Sequence, residues 1–154
     1  MDLQSIISEV KTLARETGRF IAEQRKNFDS SRVESKQSHD YVSYVDKECE
    51  RMIVSRLKEI LPQAGFITEE KTIAQDDGNK ELYWIVDPLD GTTNFIHDLA
   101  PYSVSIALRD SKDLLLGVVY EVTRDELYSA AKGQGAYLND RAIKVSPLSD
   151  LDQA

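Results

Sequence analysis

The sequence predicts an α+β domain in which two N-terminal helices pack on a mostly antiparallel sheet. In two segments before Pro62, apolar residues recur every three or four positions, which is typical of amphipathic helices. After Pro62 the pattern changes to the alternation and β-branched composition of strands. Short turns separate these strands, and short connections favour antiparallel neighbours. Helices on one face of such a sheet form an α+β layer.

The first helix is expected from near Leu3 to near Phe28. Its buried face is expected to consist of Leu3, Ile6, Ile7, Val10, Leu13, Ala14 and Ile21. The stretch from Asp29 to Asp40 follows, with four serines and no apolar period. This composition predicts a loop.

The second helix is expected from about Tyr44 to Ile60. Ser43, followed three residues later by Asp46, resembles a capping box at its start. Pro62 ends the helix because proline cannot continue it. The buried stripe is expected to contain Val45, Cys49, Met52, Ile53, Leu57 and Ile60.

Seven strands are expected after this helix, with one short helix between the second and third. The helix candidate covers Thr92 to Asp98. The strand candidates are Gly65 to Thr68, Glu81 to Val86, Ser103 to Leu108, Leu114 to Val122, Glu126 to Ala131, Ala136 to Leu138 and Ala142 to Val145.

Composition limits the classes of function. The formal net charge of -8 disfavours direct binding to nucleic acid or to an anionic membrane. Cys49 is the only cysteine, so an internal disulfide is excluded and a reducing cytoplasm is expected. The N-terminus lacks the basic and apolar regions of a signal peptide, and no apolar run has the length of a membrane span.

The most informative segment follows the second strand candidate. It reads Asp87-Pro88-Leu89-Asp90-Gly91-Thr92-Thr93-Asn94-Phe95. A tight turn can bring the carboxylates of Asp87 and Asp90 around one small space, where they repel unless a cation or proton lies between them. Oxygen ligands suit Mg²⁺, which retains waters and accepts substrate phosphate. Gly91 allows a ligand to approach the backbone, and a helix starting at Thr92 directs free N–H groups toward anions.

Three further acids are candidates for the same site. Glu69 and Glu70 close the first strand candidate, so they reach the end near Asp87 if the two strands are neighbours. Asp46 could accept a proton from water or a hydroxyl. Taken singly, each acid could instead be a turn former, a helix cap or a solvated surface group. The complete run from Asp87 to Phe95 favours metal-assisted phosphoryl transfer, because it combines metal ligands with phosphate donors.

This run resembles the first metal-binding signature of the inositol monophosphatase family, a magnesium-dependent, lithium-sensitive type of sugar phosphatase. Three supporting segments lie in the family's order. They are Val42-Ser43-Tyr44-Val45-Asp46; Phe66-Ile67-Thr68-Glu69-Glu70, with Thr68 where glycine is more usual; and Gly117-Val118-Val119-Tyr120 with the turn Ala131-Lys132-Gly133-Gln134-Gly135-Ala136. The resemblance covers essentially the whole chain and implies the first half of an αβαβα fold.

The resemblance also implies roles for the site residues. Glu69, Asp87, the Leu89 carbonyl and Asp90 would be metal ligands, with Asp87 bridging two Mg²⁺ ions. The complete family site holds two or three ions, and Mn²⁺ is a possible substitute. Catalytic roles fall to three residues: Glu70 would orient a metal-bound water, and Thr92 paired with Asp46 would help to activate it. Phosphate and substrate contacts would come from Asp90, Gly91, Thr92 and Thr93.

The implied substrate is a small phosphate monoester, with myo-inositol monophosphate expected from the Thr92-Thr93-Asn94-Phe95 ending. Fructose-1,6-bisphosphate and a nucleotide 3′,5′-bisphosphate remain alternatives, as does a regulatory protein that retains the fold without catalysis. Some bacterial family members work with the transcription machinery. The resemblance implies that residues 1–154 correspond to the N-terminal metal-binding domain and that the family's C-terminal α/β domain, with a Trp-Asp motif, is absent from this chain. The complete protein is expected to be a homodimer.

Overall fold

Two long helices and a seven-stranded sheet make up the fold, in a computed structural model that describes residues 1–28, 36–73 and 79–149. For residues 36–41 only the backbone is described. The elements are α1 (Leu3–Asn27), α2 (Lys36–Ile60), β1 (Gly65–Thr68), β2 (Tyr83–Asp90), α3 (Thr92–His97), β3 (Ser103–Arg109), β4 (Leu114–Glu121), β5 (Glu126–Ala131), β6 (Gly135–Leu138) and β7 (Arg141–Ile143).

The seven strands lie in the sheet in their chain order, from β1 to β7. Strands β1 and β2 pair in parallel, and every other neighbouring pair among the described strands is antiparallel. Turns of a few residues connect the strands from β3 onward, and such connections permit only antiparallel pairing. The prediction of two helices on a mostly antiparallel sheet is confirmed.

The core lies between the two long helices and one face of the sheet. Helix α1 packs across β3, β4 and β5, and α2 packs on β2 and on α1. Gly18 allows α1 to approach the sheet closely, since a Cβ there would lie 2.3 Å from Cε1 of Tyr120. Trp84, Ile106 and Leu108 are almost fully buried on the covered face. The opposite face exposes Ile67, Val119, Tyr128, Tyr137 and Ile143.

Helix α2 begins at Lys36, eight positions before the predicted start at Tyr44. The predicted loop is therefore wrong for residues 36–40, and residues 29–35 lie outside the described part of the chain. Val42 is buried on the same face as Val45, so the apolar stripe extends one turn further than its spacing had suggested. Ser43 is an interior residue of the helix, so the predicted capping box is also wrong.

Strand β2 contains residues that were expected to follow it. It continues to Asp90 and includes Pro88, with a shift in register between Asp87 and Asp90. Asp87 pairs with Ser105 and Asp90 with Ser103, so two residues of β2 face a single residue of β3. Proline lacks an N–H group and is tolerated in a strand at such a bulge.

No helix in the described ranges is both long and apolar enough to cross a membrane.

Candidate functional site

The parallel pairing of β1 and β2 brings the paired glutamates beside the first aspartate of the motif. Thr68 is in register with Val86, so Glu69 and Asp87 follow neighbouring positions at the same end of the two strands. The Glu69 N–H donates to the Val86 carbonyl at 3.2 Å, which extends this alignment by one residue. Glu69 and Asp87 were expected to lie close together if β1 and β2 were neighbouring strands. In the structure these two strands are neighbours.

The bulge in β2 separates the environments of the motif's two aspartates. Asp87 is half-buried, Leu89 is 2% exposed, and Asp90 is exposed. An extra residue in one strand turns the following side chains away from strict alternation. Asp87 and Asp90 therefore lie close enough for the charge of Asp90 to raise the pKa of Asp87, although they differ in burial.

Helix α2 contributes Asp46 from its interior and not from its first turn as expected. The side chain is buried, with 6% exposure, and it faces the end of the sheet where the other acids lie. Burial, followed by the charges of Glu70, Glu69 and Asp87, raises the pKa of Asp46 to about 7. A carboxyl group with this pKa exchanges a proton near neutral pH, which suits a general base.

Asp87 shows a similar shift for related reasons. Burial comes first, followed by a hydrogen bond with the Glu69 side chain and the charges of Glu69 and Asp90, and together they raise the pKa of Asp87 to about 7. The pKa of Glu70 is raised by burial and by the charges of Glu50 and Glu69. These shifts describe a group of mutually repelling carboxylates that binds protons more strongly than isolated acids do.

The chemistry of this carboxylate group fits a hard divalent cation. Its donors are all oxygens, and Oδ1 of Asp87 is buried with no hydrogen-bond partner among the described residues. A buried acceptor without a donor is costly, and a cation would satisfy it. In the arrangement described for residues 1–28, 42–73 and 79–149, no three acidic, histidine or cysteine side chains converge as an ion would require. Side-chain rotation would therefore have to accompany metal binding.

The second half of the motif forms the start of α3. Gly91 precedes the helix with φ of 91°, a left-handed conformation that favours glycine. A Cβ at Gly91 would lie 3.0 Å from the Pro101 carbonyl oxygen. Thr92 Oγ1 donates to the Leu89 carbonyl at 3.1 Å, and Thr93 is exposed in the same turn. The pairing of Thr92 with Asp46 stays a prediction.

Glu50 is a component of this region that the sequence interpretation missed. It is fully buried on α2, and its carboxylate accepts hydrogen bonds from the Glu70 N–H and from the Thr72 N–H, each at 2.7 Å. One signal was available in the sequence. Glu50 lies four positions after Asp46, on the face that also carries the apolar residues Cys49 and Ile53.

Comparisons with known proteins agree with this geometry. The family model for the inositol monophosphatase family matches residues 2–154. Nus factor SuhB of Vibrio cholerae is 40% identical over 141 residues, which are 92% of this chain and 52% of that protein. Inositol monophosphatase 2 of Solanum lycopersicum is 46% identical over 131 residues, which are 82% of this chain and 49% of that protein.

Solved structures show the same fold. The crystal structure of inositol monophosphatase-II from Staphylococcus aureus MSSA476 aligns with a TM-score of 0.80 at 30% identity. The alignment covers 96% of this chain and 54% of the staphylococcal chain. The chain thus spans about half the length of the curated relatives that it matches. A match over nearly every residue, in sequence and in fold, places the chain in the inositol monophosphatase family.

Proposed function

We propose that the protein to which this chain belongs hydrolyses a phosphate monoester, most specifically myo-inositol monophosphate, with the help of Mg²⁺. The observation that carries the proposal is the position of Asp87. It lies beside Glu69 at the end of the parallel strand pair, with one buried carboxylate oxygen unpartnered among the described residues. A structural carboxylate would have its acceptors satisfied, whereas a metal ligand keeps them available.

In this proposal the acidic residues have different roles. Glu69, Asp87, the Leu89 carbonyl and Asp90 would hold Mg²⁺, or Mn²⁺ in its place. The ions would supply a more acidic bound water and neutralise charge on the phosphate. Asp46 would accept the proton of the attacking water through the Thr92 hydroxyl. Glu70 would orient that water.

The phosphate and the alcohol of the substrate would meet different parts of the motif. The Gly91 and Thr92 amides, with Thr93 in the same turn, would contact the phosphate. Asp90 is exposed beside them and would contact hydroxyl groups of the sugar ring. The tomato and staphylococcal relatives are named inositol monophosphatases, which supports an inositol phosphate as the substrate.

The test compares metal binding and turnover in matched proteins. Calorimetric titration of this chain with Mn²⁺ and Mg²⁺ is expected to detect binding that Asp87→Asn abolishes. The control is Asp113→Asn, an exposed acid whose partner is Lys132. Absence of binding by the unaltered chain would contradict the metal assignment.

Substrate choice needs a turnover assay with the whole protein. Inositol monophosphate, fructose-1,6-bisphosphate and a nucleotide 3′,5′-bisphosphate would be compared at saturating Mg²⁺, with the tomato relative as positive control. This chain alone is expected to turn over poorly, since relatives extend to about twice its length. Equal turnover per site in the chain and the whole protein would contradict that expectation.

A regulatory function is the second candidate, because the Vibrio cholerae relative is named a Nus factor. The acidic charge of -8 favours a protein partner over direct contact with RNA. Asp87→Asn distinguishes the two functions. Loss of hydrolysis with unchanged partner binding would assign the carboxylates to catalysis alone. The expected homodimer and cytoplasmic location remain predictions, and light scattering of the whole protein would measure the former.

A further inference from the structure

Glu50 connects helix α2 to the segment that carries the paired glutamates. Its Oε2 accepts the Glu70 N–H at 2.7 Å. Its Oε1 accepts the Thr72 N–H at 2.7 Å and the Thr72 hydroxyl at 2.6 Å. Both oxygens of one side chain therefore hold the backbone on the two sides of Lys71, the residue between Glu70 and Thr72.

The Glu50 side chain is buried, so its carboxylate depends on these hydrogen bonds. The side chain has 0% exposure, and a carboxylate at such a position is retained only with hydrogen-bond partners. Its three donors all belong to the segment that follows β1. Lys71 there has φ of 52°, a left-handed conformation that a non-glycine residue adopts only when its surroundings hold it. The Glu50 hydrogen bonds on both sides of Lys71 supply that constraint.

Asp46 lies one helical turn before Glu50 on the same face of α2. The helix thus presents Asp46 to the carboxylate group and, one turn later, binds the backbone that carries Glu70. After burial, the charge of Glu70 is the next cause of the raised pKa of Asp46, so the two acids influence each other. A shift of the segment after β1 relative to α2 would change their separation.

We propose that Glu50 is a positioning residue, which holds Glu69 and Glu70 in register with Asp46 so that a divalent cation can bind between α2 and the sheet. The inference rests on the proposed function, since it concerns the same carboxylates. Glu50 itself would not contact the ion, because its oxygens are occupied by Glu70 and Thr72.

A second buried carboxylate offers a matched control. Glu121 is 6% exposed, and it accepts hydrogen bonds from the N–H and hydroxyl of Thr123 and from the Arg124 N–H at 2.6 Å. Its surroundings resemble those of Glu50 in burial and in number of donors. Its donors, however, belong to the turn after β4 and not to the segment after β1.

The experiment measures Mn²⁺ affinity and melting temperature in parallel for the unaltered chain, Glu50→Gln and Glu121→Gln. The glutamine side chain keeps the size of glutamate but directs an NH₂ donor at one of the two N–H groups. Glu50→Gln is expected to weaken Mn²⁺ binding about 10- to 100-fold, as loss of an outer hydrogen-bond partner typically does. Glu121→Gln is expected to lower the melting temperature similarly and to leave Mn²⁺ affinity unchanged.

Thr72→Val keeps the inference testable if Glu50→Gln does not fold. It removes only the hydroxyl bond to Glu50, and a loss of about two- to tenfold in Mn²⁺ affinity is expected. Unchanged affinity in every folded variant at Glu50 and Thr72 would overturn the inference while the metal site stands. Equal weakening by Glu121→Gln would also overturn it, by showing general loosening. If the unaltered chain binds no Mn²⁺, the proposed function fails first and this inference with it.

Discussion

Asp46→Asn is expected to stabilise the metal-free chain, and to do so more at pH 8 than at pH 5. Burial and the charges of Glu70, Glu69 and Asp87 raise the pKa of Asp46 from 3.8 to about 7 in the folded chain. Between these values the folded state holds a proton that the unfolded state has released. Stability therefore falls as pH rises through this window, and the cost of the charged carboxylate is complete above about pH 7.

The size of the stability change follows from the pKa shift of Asp46. The difference of 7 − 3.8 = 3.2 pH units corresponds to an upper value of about 4 kcal/mol at pH 8. At pH 5 less than half of the interval between the two pKa values has been crossed. The cost of the Asp46 carboxylate to folding stability is therefore about 2 kcal/mol or less at this pH. Asparagine is neutral at both values and nearly the same size. Its stabilising effect should therefore grow with pH.

Urea unfolding at pH 5 and pH 8, in the presence of a chelator, measures the prediction. Glu81→Gln is the control, because Glu81 is exposed and outside the carboxylate group. A stabilisation by Asp46→Asn that is equal at the two pH values would refute the reasoning, as would a loss of stability at pH 8. In the whole protein the same variant should lower kcat about 10²- to 10⁴-fold, the usual contribution of a general base.

Three further predictions concern the metal and two close approaches of the backbone. Mg²⁺ or Mn²⁺ should raise the melting temperature more at pH 8 than at pH 6, because a cation competes with the protons on the carboxylates; an unchanged melting curve contradicts this. Gly18→Ala should cost about 1–2 kcal/mol in urea unfolding, since its Cβ would overlap the Tyr120 ring, whereas Gly117→Ala, with open space around its Cβ, should be nearly neutral. Gly91→Ala should cost about 1 kcal/mol or more by the same measurement, because φ is 91° and the added Cβ would lie 3.0 Å from the Pro101 carbonyl oxygen. The same variant should weaken any phosphate binding seen by calorimetry, and wild-type stability would contradict the expected backbone strain.

Local patterns determined most of the secondary structure. Strands β1 and β5 were both predicted with the bounds that they have. In β5 the alternating burial leaves a period of two in the sequence. The apolar spacing of α1 similarly predicted its buried face. The start of α2 was missed, since its first turns are polar and a helix that is anchored further along needs no apolar stripe there.

The candidate site, like the secondary structure, was predictable from the sequence only in part. The sequence by itself determined which acids were candidates, since Glu69, Asp87 and Asp90 stand in a run whose residue types suit a cation and a phosphate. Their meeting depended on the parallel pairing of β1 with β2, which sequence periodicity does not encode. The bulge at Pro88 and the anchoring of the paired glutamates by Glu50 were likewise decided only by tertiary structure. The physical reason is that periodicity reports which side of one element is buried, whereas pairing, register and buried hydrogen bonds depend on partners distant in the chain.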